Sequence, residues 1–170
     1  MNAQETKGTD ALQELIDDGR VHVMDGAMGT ELYANGVFVN VSYDGLNLET
    51  PDVVETVHRN YVNAGAEVIE TNTFGATPMV LAEYGLAHEA RRLNRESATL
   101  ARRIADAGST PDKPRFVAGS MGPTTKTISV TGGINFEELA GDYHIQAAGL
   151  IEGGADLLLL ETSQDTLNVK

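Results

Sequence analysis

Polar side chains that could bind a small molecule stand where short apolar runs of this sequence end. Asp25 follows one such run and opens a glycine-rich stretch, Asp25-Gly26-Ala27-Met28-Gly29-Thr30. Later apolar runs are followed by further polar residues, namely Glu70, Thr71, Asn72, Ser120 and Glu161. A carboxylate in a mostly apolar mouth can bind an ammonium group, and the backbone amides of Gly26, Ala27 and Gly29 can bind a carboxylate. The two kinds of group together would suit an amino acid.

The same residues also allow other roles. Asp25 and Glu161 could equally cap helices or brace loops. The glycine-rich stretch lacks the Lys-Ser/Thr of a P-loop and the full G-x-G-x-x-G spacing, which argues against nucleotide binding. The histidines have no metal-ligand spacing and are interpreted as surface or packing residues: His22, His58, His88 and His144. The chain has no cysteine, which excludes disulfides, thiolate nucleophiles and cysteine-based zinc sites within it.

The elements that would position these groups alternate between strand and helix. Strands are predicted at residues 21–24, 67–70, 115–120 and 156–161, and the last run is typical of a strand buried on both faces. Helices are predicted to start at Thr50-Pro51, at Thr77-Pro78 with a break at Gly85, near Leu93, and at Asn135, where Glu138 completes a capping box. The third helix carries Arg91, Arg92, Arg95, Arg102 and Arg103 among acidic residues, which indicates a solvated, ion-paired face.

This alternation predicts an α/β fold with a parallel sheet covered by helices. Residues 64–71 resemble residues 153–162, since each segment has a helix end, a tight glycine turn, a strand and an acidic residue at the exit. A complete (β/α)₈ barrel takes about 250 residues and eight strands. The chain is therefore expected to form either a small open sheet or the first half of a (β/α)₈ barrel.

Composition narrows the class of partner. At 170 residues with 41% hydrophobic content, the chain fits a single domain or part of one. The net charge of -13 opposes binding to nucleic acid and to anionic membranes. Because there is no apolar run of membrane-spanning length and no secretion signal, a cytoplasmic protein is predicted. We divide the chain into an N-terminal extension with a short helix, residues 1–19, and a partial barrel domain, residues 20–170.

Five motifs together resemble a known family. They are the segments 24–30, 45–54, 64–75, 118–123 and 153–162, and they occur in the order found in the homocysteine-binding domain of cobalamin-dependent methionine synthases. The similarity extends from about residue 20 to the end of the sequence. Bifunctional enzymes that join this domain to a methylenetetrahydrofolate reductase are also similar, particularly between Phe74 and Asn94.

The resemblance implies a methyltransferase barrel with homocysteine at its mouth. By position, Asp25, Gly26, Ala27 and Glu161 would hold the amino acid end, and Asn72 is added as a candidate substrate-binding residue. In the family, three cysteines from later strands bind zinc, zinc binds the homocysteine thiolate, and methylcobalamin, recharged by methyltetrahydrofolate on other modules, supplies the methyl group. Because this chain has no cysteine, we interpret it as the N-terminal part of a longer enzyme. Alone it is expected to bind no zinc, to be inactive and to self-associate.

Two other hypotheses stay open from the sequence. One is a non-catalytic α/β half-barrel that binds a small amino acid or a partner subunit. The other is an unrelated barrel enzyme such as an aldolase, for which Lys126, in a loop, is an indifferent Schiff-base candidate.

Overall fold

A computed structural model describes residues 12–38, 40–129 and 132–170, so residues 1–11 of the predicted N-terminal extension lie outside it. Residues 12–17 are helical. Helices α1 to α7 then span Met28–Ala34, Leu46–Glu49, Pro51–Ala64, Pro78–Leu81, Ala90–Gly108, Phe136–Glu152 and Thr166–Val169. Strands β1 to β3 span Val68–Glu70, Phe116–Met121 and Leu157–Leu160, and 3-10 turns occupy Ala82–Tyr84 and Ala87–Glu89. The predicted alternation of strand and helix is confirmed.

The three strands form one parallel sheet in the order β1-β2-β3. Ile69 pairs with Val117, and Ser120 pairs with Leu159. Since successive side chains of a strand point to opposite faces, Glu70, Ser120 and Glu161 follow the same inner face of the sheet. Parallel strands covered by helices are the repeating unit of the (β/α)₈ barrel, and the described residues form part of that fold.

The predicted first strand, residues 21–24, is wrong in extent. Only Met24 makes a bridge, a parallel one to Val68, supported by hydrogen bonds from Glu67 N to Val23 O and from Asp25 N to Val68 O. The segment is extended, but among the described residues it pairs with β1 alone, and Val21 is almost fully exposed. Because it pairs with one neighbour only and over a short stretch, this segment does not form a regular strand.

Helices cover the outer face of the sheet because their apolar stripes match its outward side chains. Ile69 and Val117 are fully buried against Val62 of α3 and against Ala101 and Ile104 of α5. The arginines of α5 are paired as predicted, and some reach beyond the helix to Glu55, Glu152 and Asp156. The amphipathic pattern that predicted α5 therefore reflects its packing directly.

The inner face of the sheet is apolar at the end away from the carboxyl termini of the strands. Val68, Phe116 and Ala118 form a cluster there with Leu15 of the N-terminal helical segment, and Leu12, Leu157 and Leu159 pack against it. This segment closes the lower end of the inner face. The polar groups lie at the opposite end of the inner face, at the carboxyl ends of the strands.

The prediction that residues 157–160 are buried on both faces is wrong. Leu157 and Leu159 are partly buried, whereas Leu158 and Leu160 are 39% and 47% exposed. The physical reason is that β3 is the edge of the described sheet, and its outer face is only partly covered by α6.

None of the helices in the described ranges combines the length and apolar content that crossing a bilayer requires.

The internal similarity seen in the sequence has a structural counterpart. Gly65 and Gly154 both adopt the left-handed conformation, with φ of 110° and 95°, where a helix turns into the following strand. Glycine is favoured there because a Cβ is strained at positive φ. An acidic residue stands at the carboxyl end of each strand: Glu70 is the last residue of β1, and Glu161 directly follows β3.

Candidate functional site

A cavity of about 650 Å³ opens at the carboxyl ends of the strands. All five sequence-predicted site residues line it: Asp25, Gly26, Ala27, Asn72 and Glu161. Glu70, Thr71 and Ser120, the other polar strand-end residues, line it as well. This is the end of a parallel sheet where loops from several strands gather around one mouth.

Asp25 is held at the floor of this cavity by β1. Its carboxylate accepts hydrogen bonds from the Glu70 backbone amide, at 3.1 Å to Oδ1 and 2.9 Å to Oδ2. Burial raises the pKa of Asp25 to about 7, and the negative charges of Glu70 and Glu161 act in the same direction. Asp25 thus braces the loop and also presents an acid to the cavity.

Glu161 lies across the cavity floor from Asp25. Its backbone amide donates to Met121 O at 3.2 Å, and its carboxylate accepts a hydrogen bond from the Ser120 hydroxyl. The next residue, Thr162, has φ of 56°, a left-handed conformation that is rare for a β-branched side chain. This turn ends the extended chain immediately after the carboxylate, so the backbone around Glu161 is tightly specified.

Hydroxyl groups tie the ends of β1 and β2 together. The Ser120 amide donates to the Thr71 hydroxyl at 3.0 Å, and the Thr73 hydroxyl donates to Ser120 O at 2.7 Å. Gln146 of α6 donates from Nε2 to Thr73 O at 2.7 Å. The network is buried, so it fixes the strand ends that carry the acidic groups.

Asn72 joins the strand end to the loop that precedes α2. Its side-chain Nδ2 donates to Tyr43 O at 2.7 Å, and its backbone oxygen accepts from Asn47 Nδ2 at 2.6 Å. The side-chain amide nitrogen and the backbone oxygen of Asn72 are therefore already used in structural hydrogen bonds. Its predicted role in substrate binding stays a prediction.

Sequence reasoning missed Asp44, which forms part of the cavity wall. Its Oδ1 accepts a hydrogen bond from Gly75 N at 2.9 Å, and burial raises its pKa to about 6. The residue lies in a turn far from any predicted strand end, so no pattern pointed to it. A second missed feature is α1, which begins at Met28 inside the stretch predicted as a glycine-rich loop.

The loop of Gly26 and Ala27 is positioned by Tyr61 of α3, whose hydroxyl donates to Ala27 O at 2.9 Å. A Cβ on Gly26 would lie 3.4 Å from the Tyr61 hydroxyl, and one on Gly29 would lie 3.3 Å from the Tyr43 ring. The glycines therefore let two tyrosines pack closely around the loop. Its backbone amides are the groups that the sequence suggests for binding a carboxylate.

Zinc does not fit the part of the chain that the structure describes. The sequence contains no cysteine. Within residues 12–38, 40–129 and 132–170, no three His, Asp or Glu side chains form a group that could hold a metal ion.

Comparison with known proteins shows the family of the chain. The sequence pattern of the family described as homocysteine S-methyltransferase matches residues 22–170. The chain belongs to the homocysteine S-methyltransferase family. The resemblance drawn from the five sequence motifs is thus confirmed.

Two curated relatives in this family are mycobacterial methionine synthases. The chain is 43% identical over 169 residues to the one from Mycobacterium tuberculosis (strain ATCC 25618 / H37Rv), and 42% identical to the one from Mycobacterium leprae (strain TN). In each case the match takes in 95% of this chain and 14% of the relative. The chain thus spans about one seventh of the length of these enzymes.

Solved structures of the Escherichia coli homocysteine methyltransferase MmuM have the same fold. The oxidized form superimposes with a TM-score of 0.81 at 29% identity, covering 93% of this chain and 58% of that one. The metallated form gives a TM-score of 0.79 at 28% identity, covering 95% and 59%. The described residues therefore correspond to somewhat more than half of that methyltransferase.

Proposed function

We propose that the cavity binds homocysteine and that the protein is a homocysteine S-methyltransferase of the methionine synthase kind. The observation that carries this proposal is the convergence of Asp25, Glu70 and Glu161 on one cavity, in a family of homocysteine S-methyltransferases. Among the described residues that line the cavity there is no Lys, Arg or His. Such a site favours a cationic group.

An amino acid matches the two halves of this site. Its ammonium group has N–H donors for the carboxylates of Asp25 and Glu161, and its carboxylate can accept from the backbone amides of Gly26 and Ala27. Charge-assisted hydrogen bonds of this kind are stronger than neutral ones, particularly where water is partly excluded. The side-chain sulfur would then be the end left for methyl transfer.

The zinc and cobalamin implied by the resemblance belong to this proposal for the full-length protein. A metallated MmuM structure and two methionine synthase relatives support a metal and methionine synthesis in the family. Methylcobalamin and methyltetrahydrofolate as donors stay predictions. So does the expectation that the 170-residue chain alone binds no zinc and transfers no methyl group.

Calorimetry on the full-length protein tests this function with two ligands. Homocysteine is compared with 4-mercaptobutanoate, which keeps the thiol and the carboxylate but lacks the amine. Homocysteine is expected to bind at least about tenfold more tightly, because only its ammonium group can use the carboxylates. Equal affinity for the two ligands would contradict the proposed site.

A further inference from the structure

Glu70 lies between the two acids that the proposed function assigns to the ammonium group. It is the last residue of β1, and its side chain points to the same face of the sheet as Ser120 and Glu161. Its backbone amide already donates to Asp25. The carboxyl group of Glu70 therefore faces the cavity from the end of β1.

The charges that face Glu70 are all negative or neutral. The nearest titratable groups are Asp25 and Glu161, and Tyr43, Asp44 and Tyr84 line the same cavity. The described lining contains no cationic side chain that could offset them. Two adjacent carboxylates in such a place cannot both be ionised without a large cost.

The hydrogen-bond pattern indicates which of the two acids carries the proton. The Ser120 hydroxyl donates to Glu161, so Glu161 already serves as a hydrogen-bond acceptor. Burial and the adjacent Glu161 carboxylate together raise the pKa of Glu70 to about 7. In the empty cavity the proton is therefore better placed on Glu70, where it can bond to Glu161.

We propose that Glu70 is a positioning residue that holds a proton against Glu161 in the empty cavity, and that an arriving ammonium group displaces this proton. The inference rests on the proposed function, because it needs an amino acid ligand. The O–H···O hydrogen bond between the two carboxyl groups breaks, N–H···O bonds to the ammonium group form, and the proton passes to solvent. No covalent bond changes.

Binding should consequently be linked to pH. Below about pH 7 the ammonium group must compete with the proton on Glu70, so homocysteine affinity rises as the pH is raised through this range. The limiting slope is about tenfold in affinity per pH unit for each proton released. A site whose carboxylates were already fully ionised would show no rise beyond that caused by a proton lost from the thiol.

The test counts the protons released when homocysteine binds to the full-length protein. Calorimetry at pH 6.5 is run in two buffers that differ in ionisation enthalpy, on the wild type, on Glu70→Gln and on Glu67→Gln. Glu67 lies on the preceding stretch of the same strand region, where its carboxylate pairs with His22 outside the cavity. A proton lost from the thiol contributes equally to all three proteins and cancels in the comparison.

Glu70→Gln is expected to release about one proton fewer per homocysteine than the wild type, with a flatter dependence of affinity on pH. Glu67→Gln should behave as the wild type. An unchanged proton count in Glu70→Gln, with homocysteine still bound, would overturn this inference alone.

A measurement without any substitution keeps the test independent of folding. On the wild type, 4-mercaptobutanoate lacks the ammonium group and should release about one proton fewer than homocysteine at pH 6.5. Equal proton release by the two ligands would overturn the role of Glu70. A wild-type protein that binds no homocysteine would instead overturn the proposed function itself.

Discussion

The Asp25 carboxylate accepts a hydrogen bond from the Glu70 backbone amide, with 2.9 Å between Oδ2 and N. This bond joins the loop after the first extended segment to the end of β1. The sequence left open whether Asp25 braces a loop or binds a ligand; the geometry shows the bracing contact, and ligand binding by Asp25 stays a prediction. One residue orders the cavity floor and contributes to its charge.

Close packing of α5 against α6 depends on Gly149. A Cβ at this position would lie 2.6 Å from Arg91 O and 2.8 Å from Asn94 Cβ, so Gly149→Ala must push the helices apart. We expect it to lower the free energy of unfolding by about 1 to 3 kcal/mol. Gly141→Ala in the same helix meets nothing within 4 Å and should raise it by up to about 1 kcal/mol.

Chemical unfolding of the two alanine variants checks this prediction. Both substitutions replace glycine by alanine in the same helix, so the gain in helix propensity is the same. Opposite signs of the change in the free energy of unfolding therefore isolate the effect of packing. If both variants were stabilised, the tight approach of α5 and α6 would be refuted.

His58 should make the domain sensitive to acid. It is fully buried in α3, neither ring nitrogen has a hydrogen-bond partner among the described residues, and burial lowers its pKa to about 4. Since an unfolded histidine titrates near 6.5, stability is lost as the pH falls from about 6.5 towards 4, by about 2 kcal/mol at pH 5. His58→Leu removes the titrating group. The free energy of unfolding of His58→Leu relative to the wild type should therefore rise by this amount between pH 8 and pH 5.

Hydrogen exchange of the α3 and α5 amides in the full-length protein measures this change in local stability. His88→Gln is the matched control, because the His88 side chain is 75% exposed and should leave the pH profile unaltered. The same pH profile for His58→Leu and the wild type would show that His58 is not the acid-sensitive group.

Local patterns predicted most of the fold. The capping box of Asn135 and Glu138 is present, and Gly85 breaks the chain with φ of 73° before α5 begins. These features depend on residues a few positions apart, which a sequence displays directly. The irregular pairing of residues 21–24 depends on which strands lie beside them, and so does the exposure of Leu158. The neighbours of a strand cannot be read from local sequence patterns.

The candidate site was predictable to a similar extent and for a similar reason. Asp25, Asn72 and Glu161 follow apolar runs, and parallel strands bring such residues to one edge. Asp44 reaches the cavity only through the fold of a turn, and its hydrogen bond from Gly75 has no local signature. The proximity of Glu70 and Glu161 has no local signature either, because the two residues are 91 positions apart in the sequence.

The exposed outer face of β3 should drive self-association of the 170-residue chain. Leu158 and Leu160 border an apolar groove shared with Leu139 and Tyr143 of α6, on an edge strand that carries no proline or charge. Leu158→Lys should therefore shift the chain towards monomer. Light scattering across a range of concentrations measures this shift.

The control for that experiment is Ile151→Lys, at an apolar residue that is 61% exposed on α6 and is not part of the groove. It should leave the association unchanged. A wild-type chain that stays monomeric at every concentration and unfolds cooperatively would mean that the edge of β3 does not drive association.

The cavity is proposed to recognise the ammonium group of homocysteine through Glu161. Calorimetry of homocysteine binding to the full-length wild type, to Glu161→Gln and to the control Glu67→Gln tests it most directly. Because Gln keeps the shape but loses the charge, Glu161→Gln should weaken binding by about 1.5 to 3 kcal/mol, while Glu67→Gln changes nothing. Unaltered affinity in Glu161→Gln would contradict the claim and leave Glu161 a structural residue.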